Sequence, residues 1–219
     1  MGEKSMRIHF WIGILLTAIT LLVTGLLYPR LPSNIPNHWN IHGYVDHYGP
    51  KWSLLVLNPG VMAGILALFA LLPWLSPKRF EVDTFRSTYL YLMLVLIGVF
   101  AYIQAVLLWG ALSGRVDTGW AVAGGMYLVL VLLGNVLGKV RRNFYLGIRT
   151  PWTIANERVW NATHRLAAKL FVFAGLAGLV LLGFRVRNWP VFLPLMVAVV
   201  IPVVYSLILY KVLEHRGSL

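Results

Sequence analysis

Cysteine is absent from this 219-residue chain, so it has no disulfide framework and no thiolate to act as nucleophile or metal ligand. Acidic residues are scarce as well. The seven are Glu3, Asp46, Glu81, Asp83, Asp117, Glu157 and Glu214, and none lies in the middle of a long apolar run. Proton-coupled transporters and intramembrane aspartyl proteases are expected to keep a carboxylate at that depth, so both classes lose support. Neither G-x-S-x-G nor H-E-x-x-H occurs, which removes two recognisable signatures of hydrolytic sites. Charged residues make up 12% of the chain, against about 25% in an ordinary soluble domain. Internal repeats and low-complexity segments are missing too.

Hydrocarbon fills the space. The chain is 59% hydrophobic with a mean hydropathy of +0.75. A bilayer core needs about 20 consecutive, mostly apolar helical residues. Six runs approach that length, at roughly 8–28, 53–75, 87–112, 119–138, 167–184 and 190–210. The fifth is the shortest, and Leu166 and Leu170 sit in a helical pattern that lengthens it. The first run is longer than the apolar core of a secretory signal and is followed by Tyr28, Pro29 and Arg30 instead of a small-residue cleavage site, so it reads as a retained span. These runs predict an all-α, polytopic integral membrane protein, a bundle of about six transmembrane helices.

The formal net charge of +12 invites a nucleic-acid reading, but its distribution points elsewhere. With six spans, the N-terminus, second loop, fourth loop and C-terminus hold fourteen of the nineteen Lys and Arg residues. The other side holds Arg30, Lys51, Arg115, Arg185 and Arg187. Positive residues collect on the cytoplasmic side, so both termini are predicted to be cytoplasmic and no direct nucleic-acid partner is expected.

Two connections are long, and long connections in a compact bundle are more often functional than accidental. The first, 29–52, faces outside in this topology and contains "NIPNHWNIHGYVDHYG". Pro29, Pro32 and Pro36 oppose a regular helix, while Gly43 and Gly49 mark turns. Trp39, Tyr44, Tyr48 and Trp52 suit a membrane interface. The fourth connection, 139–166, faces the cytoplasm and contains "NFYLGIRTPWTIANERVWNATH". Thr150 and Pro151 have the pattern of a helix start, from which a helix is predicted to run into the fifth span. Along it Glu157, Trp160 and His164 share one face, and Arg158, Arg165 and Lys169 share another that suits lipid phosphates. Within the spans Asn58, Gln104 and Asn135 stand out. Such amides commonly cross-link helices, and Asn58-Pro59-Gly60 is expected to kink or unwind the second span.

The histidines allow two readings. His38, His42 and Asp46, with His164 from the fourth loop, are ligand types that zinc accepts. Alternatively they are surface histidines that hydrogen-bond the loop, in which case no cofactor is expected. A catalytic Glu157–His164 pair is the sharper reading of their shared face, and an ordinary hydrogen-bonded helix face the plainer one.

Both loops carry a resemblance. "IPNHWNIHGYVDHYGPK" is similar to the extracytoplasmic motif of a small bacterial domain of unknown function, through Ile35, Pro36, His38, Trp39, Gly43, Asp46 and Lys51. "GNVLGKVRRNFYLGIRTPWTIANERVWNATH" resembles the hallmark of the SdpI family through Gly134, Asn135, Asn143, Gly147 to Thr153, Trp160, Thr163 and His164. Ile154 stands where that family more usually has Leu, and His42 and His47 are not part of the pattern. The resemblance implies a multi-pass protein of the bacterial cell membrane that confers immunity to a secreted peptide toxin. In some members it also implies sequestration of a transcriptional repressor at the membrane. The implied organisation is an N-terminal two-helix unit, 1–75, with the external loop, and a four-helix unit, 76–219, with the cytoplasmic loop. The candidate functional residues are His38, Trp39, Asn40, Gly43, Asp46 and Asn58 in the first unit. Asn143, Arg149, Thr150, Trp152, Trp160 and His164 complete them in the second. Secreted peptide toxin, cytoplasmic repressor and membrane lipid are the expected partners. The rival from another class is a metal-dependent membrane hydrolase acting on a peptide or lipid.

Overall fold

A computed structural model of the chain describes residues 3–40, 42, 44–75, 82–114, 117–186 and 189–218. The helices are α1 (Glu3–Leu27), α2 (Ser53–Leu75), α3 (Arg86–Ser113), α4 (Thr118–Leu137), the short α5 (Pro151–Ala155), α6 (Glu157–Gly183) and α7 (Leu193–His215). All but α5 are long and apolar enough to cross a membrane, which makes this a multi-pass membrane protein with six candidate spans. The expected runs recur with small shifts at their ends, except that the fifth span begins at Glu157, where the apolar run had suggested 167, and the sixth continues to His215, five residues past its run. Broad apolar faces remain exposed on α1, α2 and α7 (Trp11, Leu22, Leu57, Trp74, Ile208), as lipid-facing helices require.

The first long connection is not irregular. It forms an antiparallel hairpin of β1 (Asn34–Trp39) and β2 (Val45–Pro50). Proline obscures these strands in the sequence. In a two-stranded ribbon each strand has an unpaired edge, so Pro36 can sit in β1 without breaking a ladder bond. The register slips between Pro36 and His38 and again before Trp39, so the ribbon is bulged. Gly49 lies inside β2, not at a turn, and the Asn37 side chain occupies the space that a Cβ there would take. Gly43 lies outside the described residues. The backbone of α2 continues through Asn58, Pro59 and Gly60 without unwinding.

Helices α1, α2 and α3 pack together, α4 packs most extensively on α6, α6 on α7, and α3 against α4 joins the two groups. Small residues bring α4 and α6 close. A Cβ on Gly134 would lie 2.8 Å from the Ala168 carbonyl oxygen, and one on Gly175 2.6 Å from that of Tyr127. In α2, Pro73 cannot donate to the carbonyl of Phe69 four residues earlier, and the buried Tyr89 hydroxyl of α3 donates to it at 2.6 Å. Met62, Phe69, Tyr89, Met93, Ile97 and Trp160 are the large, nearly sealed side chains of the main core.

Asn58 and Gln104 cross-link the first three helices. Gln104, 1% exposed, accepts from Asn58 Nδ2 at 2.8 Å. Its own Nε2 donates to Thr24 Oγ1 at 2.9 Å and to the Leu54 carbonyl at 2.8 Å. Gln104→Leu removes three bonds at once and leaves the Asn58 amide without this partner. Unfolding in detergent should show a loss of about 1–2 kcal/mol, with Asn58 and Gln104 coupled by roughly 0.5–1.5 kcal/mol in a double-mutant cycle. Additive losses would mean the two amides do not act together. Asn135, by contrast, is exposed and cross-links nothing shown in the structure.

Candidate functional site

The two long connections sit at opposite ends of the bundle. The hairpin leads into the start of α2 at Ser53, whereas the Tyr145 hydroxyl of the second connection donates at 3.0 Å to the carbonyl of Leu75, the last residue of α2. A helix of 23 residues is about 34 Å long, so the two sets of candidate residues form separate sites. In particular, Arg149 and His164 do not reach Asn58 or the hairpin.

At the hairpin end, Ile35 is 2% exposed and packs with Leu31, Leu54 and Leu108, which seats one side of the ribbon on the bundle. Trp39 is half-buried and donates from Nε1 to Thr118 Oγ1, at the first residue of α4, at 3.0 Å. Lys51 Nζ donates to the Tyr28 and Leu31 carbonyls, both at 3.2 Å, and lies 4.6 Å from the Tyr28 ring centre. These bonds tie the start of α2 to the turn that follows α1. Asn40 shapes the tip, its side-chain oxygen accepting from the backbone N–H groups of His42 and Tyr44 at 2.9 and 3.1 Å. His38 and Asp46 face each other across the strands at 2.6 Å, both well exposed. His47 pairs with Asn37 in the same way, also at 2.6 Å. Tyr44, Tyr48 and Trp52 are 62%, 58% and 53% exposed, so an aromatic and imidazole-bearing rim stands clear of the bundle.

The proposed metal ligands do not converge. Only His38 and Asp46 are adjacent; His42 is in the hairpin tip, and His164 is buried at the far end with its nitrogens already engaged. Among the described residues no group of three or more His, Asp or Glu side chains is placed to hold an ion. Nor do Glu157 and His164 form a pair. Glu157 is exposed at the start of α6, while His164 is sealed against Trp160.

The second end is a braced loop. Asn143, fully buried, uses its whole side-chain amide: Nδ2 donates to the Arg141 and Leu146 carbonyls, and Oδ1 accepts from the N–H groups of Tyr145 and Leu146, all at 2.7–3.1 Å. Gly147 follows with φ +106°, and there the backbone passes directly over the His164 ring. His164 Nε2 accepts from Ile148 N–H at 3.0 Å, and Nδ1 faces the Trp160 carbonyl at 2.9 Å. That pattern fixes the neutral ring with its proton on Nδ1. The ring also stacks on Trp160 at 4.1 Å between centres, and Trp160 Nε1 donates to the Val140 carbonyl at 2.8 Å. Thr150 caps α5 in a reciprocal box with Thr153, and its hydroxyl lies 3.0 Å from that of Ser206 on α7. The expected continuous helix breaks at Asn156, whose extended backbone ends α5 and whose side chain caps α6 through the N–H groups of Arg158 and Val159. An Asn just before the helical pattern carries that signal in the sequence, but Thr150-Pro151 drew attention to the earlier start. The Thr163 hydroxyl, also buried, has no hydrogen-bond partner among the described residues.

Asn143, Thr153, Trp160 and His164 thus face inward, while Arg149 is exposed, with its guanidinium bonded to the Phe144 carbonyl, and Trp152 is half-buried. Sequence reasoning missed the partners of these residues: Thr118 beneath Trp39, Val140 beneath Trp160, Tyr145 at the end of α2, and Ser206 beside Thr150. None carries a local signal, because each acts through a neighbour distant in sequence.

A helical multi-pass membrane protein with a polar hairpin at one end and a braced loop at the other is the class this fold defines. Residues 139–206 match the SdpI/YfhL protein family, and residues 15–63 match a domain of unknown function, DUF1648. The braced loop lies inside the first of these matches and the whole hairpin inside the second, so the chain is similar to the SdpI/YfhL family over its last third. It is 26% identical over 164 residues to a protein named Immunity protein SdpI from Bacillus subtilis (strain 168), covering 75% of this chain and 76% of that one. No solved structure matches it.

Proposed function

We propose that this is a membrane immunity protein that protects the cell carrying it from a secreted antimicrobial peptide. The observation that supports this most is the similarity to Immunity protein SdpI, which runs over three quarters of both chains. The charge asymmetry supports an orientation with the hairpin outside and both termini in the cytoplasm. In that orientation the hairpin is the first part an arriving peptide meets. Its exposed Tyr44, Tyr48 and Trp52, beside His38 and Asp46, suit an amphipathic peptide with aromatic or cationic side chains. In this reading Trp39 and Asn40 hold the rim in shape and Asn58 supports it from below.

The braced loop serves the cytoplasmic side. Arg149 and the half-buried Trp152 are among its accessible groups, and Asn143, Thr150, Trp160 and His164 position them. A transcriptional repressor held at the membrane would dock there. The N-terminal unit, 1–75, then reads the toxin, and the unit from 76 to 219 relays or anchors.

Survival of a sensitive bacterium expressing the protein, challenged with secreted peptides from related producers, tests the reading. The wild-type chain should raise the lethal concentration several-fold, with the peptide recovered intact. His38→Ala with Asp46→Ala should remove most of that protection at equal membrane abundance. Protection unchanged by the double substitution, or peptide recovered in fragments, would overturn capture at the hairpin.

A further inference from the structure

At the braced-loop end, a cleft of about 470 Å³ opens between the start of α3, the end of α4 and the second and third turns of α6. Its lining includes Lys139, Arg141 and Arg165, together with Ser87, Thr88 and Asn161, and no acidic side chain among the described residues. All three cations are exposed, and the structure gives none of their side chains a hydrogen-bond or ion-pair partner among the described residues. Three cations that share one concavity repel each other, so an anion that bridges them is stabilised by all three. Thr88, only 7% exposed, adds a hydroxyl at the cleft wall.

A second groove of about 400 Å³ follows the α3–α4 seam and is lined by Tyr91, Val95, Gly98 and Tyr102 on α3 and by Gly125 and Leu132 on α4, among other apolar residues. On α3 the residues 88, 91, 95, 98 and 102 follow one helical stripe, so cleft and groove share a face of the same helix. From Tyr91 to Tyr102 the groove runs about 16 Å into the apolar depth of the bundle. A polar cationic cleft with an apolar groove beginning about one turn farther along the same helix matches a phosphate group with a hydrocarbon chain attached.

From this we infer that the protein binds an anionic phospholipid at this site, with the phosphate between Lys139, Arg141 and Arg165 and one acyl chain along the α3–α4 groove. Free phosphate has the same headgroup chemistry but no use for the groove. A peptide would not need three cations at one point. The site is separate from the hairpin and stands or falls independently of the immunity reading.

The test is native mass spectrometry of the full-length protein in a neutral detergent, titrated with phosphatidylglycerol, phosphatidylcholine or inorganic phosphate. Phosphatidylglycerol should be retained about tenfold more than phosphatidylcholine. Lys139→Gln with Arg141→Gln and Arg165→Gln should abolish that preference. Gly98→Leu fills the groove, and since a Cβ there meets nothing within 4 Å the helix should accept it. It should cut phosphatidylglycerol retention several-fold and leave phosphate competition weak. Thermal unfolding in lipid-free detergent should be near wild type for both variants, which separates loss of the site from loss of the fold. Equal retention of both lipids, phosphate displacing phosphatidylglycerol at comparable concentration, or indifference to both variants would overturn the proposal.

Discussion

Gly147→Ala should destabilise the protein by about 3 kcal/mol or more, as read from its unfolding in mild detergent. Two causes add. The backbone at φ +106° is a conformation in which an L side chain is strained, worth roughly 1–2 kcal/mol. The new methyl also collides with the His164 imidazole, meeting Nε2 first, with Cδ2 and Cε1 at 3.1 and 3.3 Å. The ring has no room to retreat, because it is stacked on Trp160 on one side and tied to the Trp160 carbonyl through Nδ1. The loop must lift instead, and Ile148 N–H then loses its acceptor, at about 1–3 kcal/mol for a group left unpaired in a buried setting. A second background separates the causes. In His164→Ala the collision and the hydrogen bond are already gone, so Gly147→Ala should there cost only the backbone part, about 1–2 kcal/mol. Equal costs in both backgrounds would mean that the glycine is needed for its backbone alone and that its closeness to His164 is incidental.

The spans were legible because lipid imposes a simple requirement. Uninterrupted apolar length signals a crossing helix, and four of the six stretches agree with their helices to within a few residues at both ends. The fifth began earlier in the structure because Trp160, Thr163 and His164 are buried by protein, so the helix starts in a stretch whose polarity hid it. The hairpin was hidden for a different reason. Its strands are short, bulged and interrupted by Pro36, and they are stabilised by groups far away in sequence, Leu108 on α3 and Thr118 on α4. The amides at Asn58 and Gln104 could be read as helix cross-links from their depth alone, but their third partner, Thr24, has no signal beyond being a hydroxyl in a span. At the braced loop, the sequence singled out a set of residues while leaving their direction open. A motif cannot distinguish an exposed contact from a buried brace, and here Asn143, Trp160 and His164 are braces.

Trp160 is the position where that distinction has the largest measurable consequence. Its side chain is fully buried, it joins the main core, it stacks on His164, and its indole N–H holds the Val140 carbonyl where the loop leaves α4. Trp160→Ala should cost about 3–5 kcal/mol, because it opens a large cavity and also removes the surface against which His164 lies. Trp160→Phe keeps most of the ring volume and the stack and deletes the hydrogen bond, so about 1–2 kcal/mol is expected. The pair also tests what the loop does. If Trp160 only braces the loop, Trp160→Phe should protect cells as well as the wild type once membrane abundance is matched, and Trp160→Ala should fail in proportion to its lost abundance. A Trp160→Phe variant present at normal levels but unable to protect would instead mean that the indole N–H matters beyond stability. The Val140 link, which fixes the loop to α6, would then be part of what the loop does and not only of what holds it.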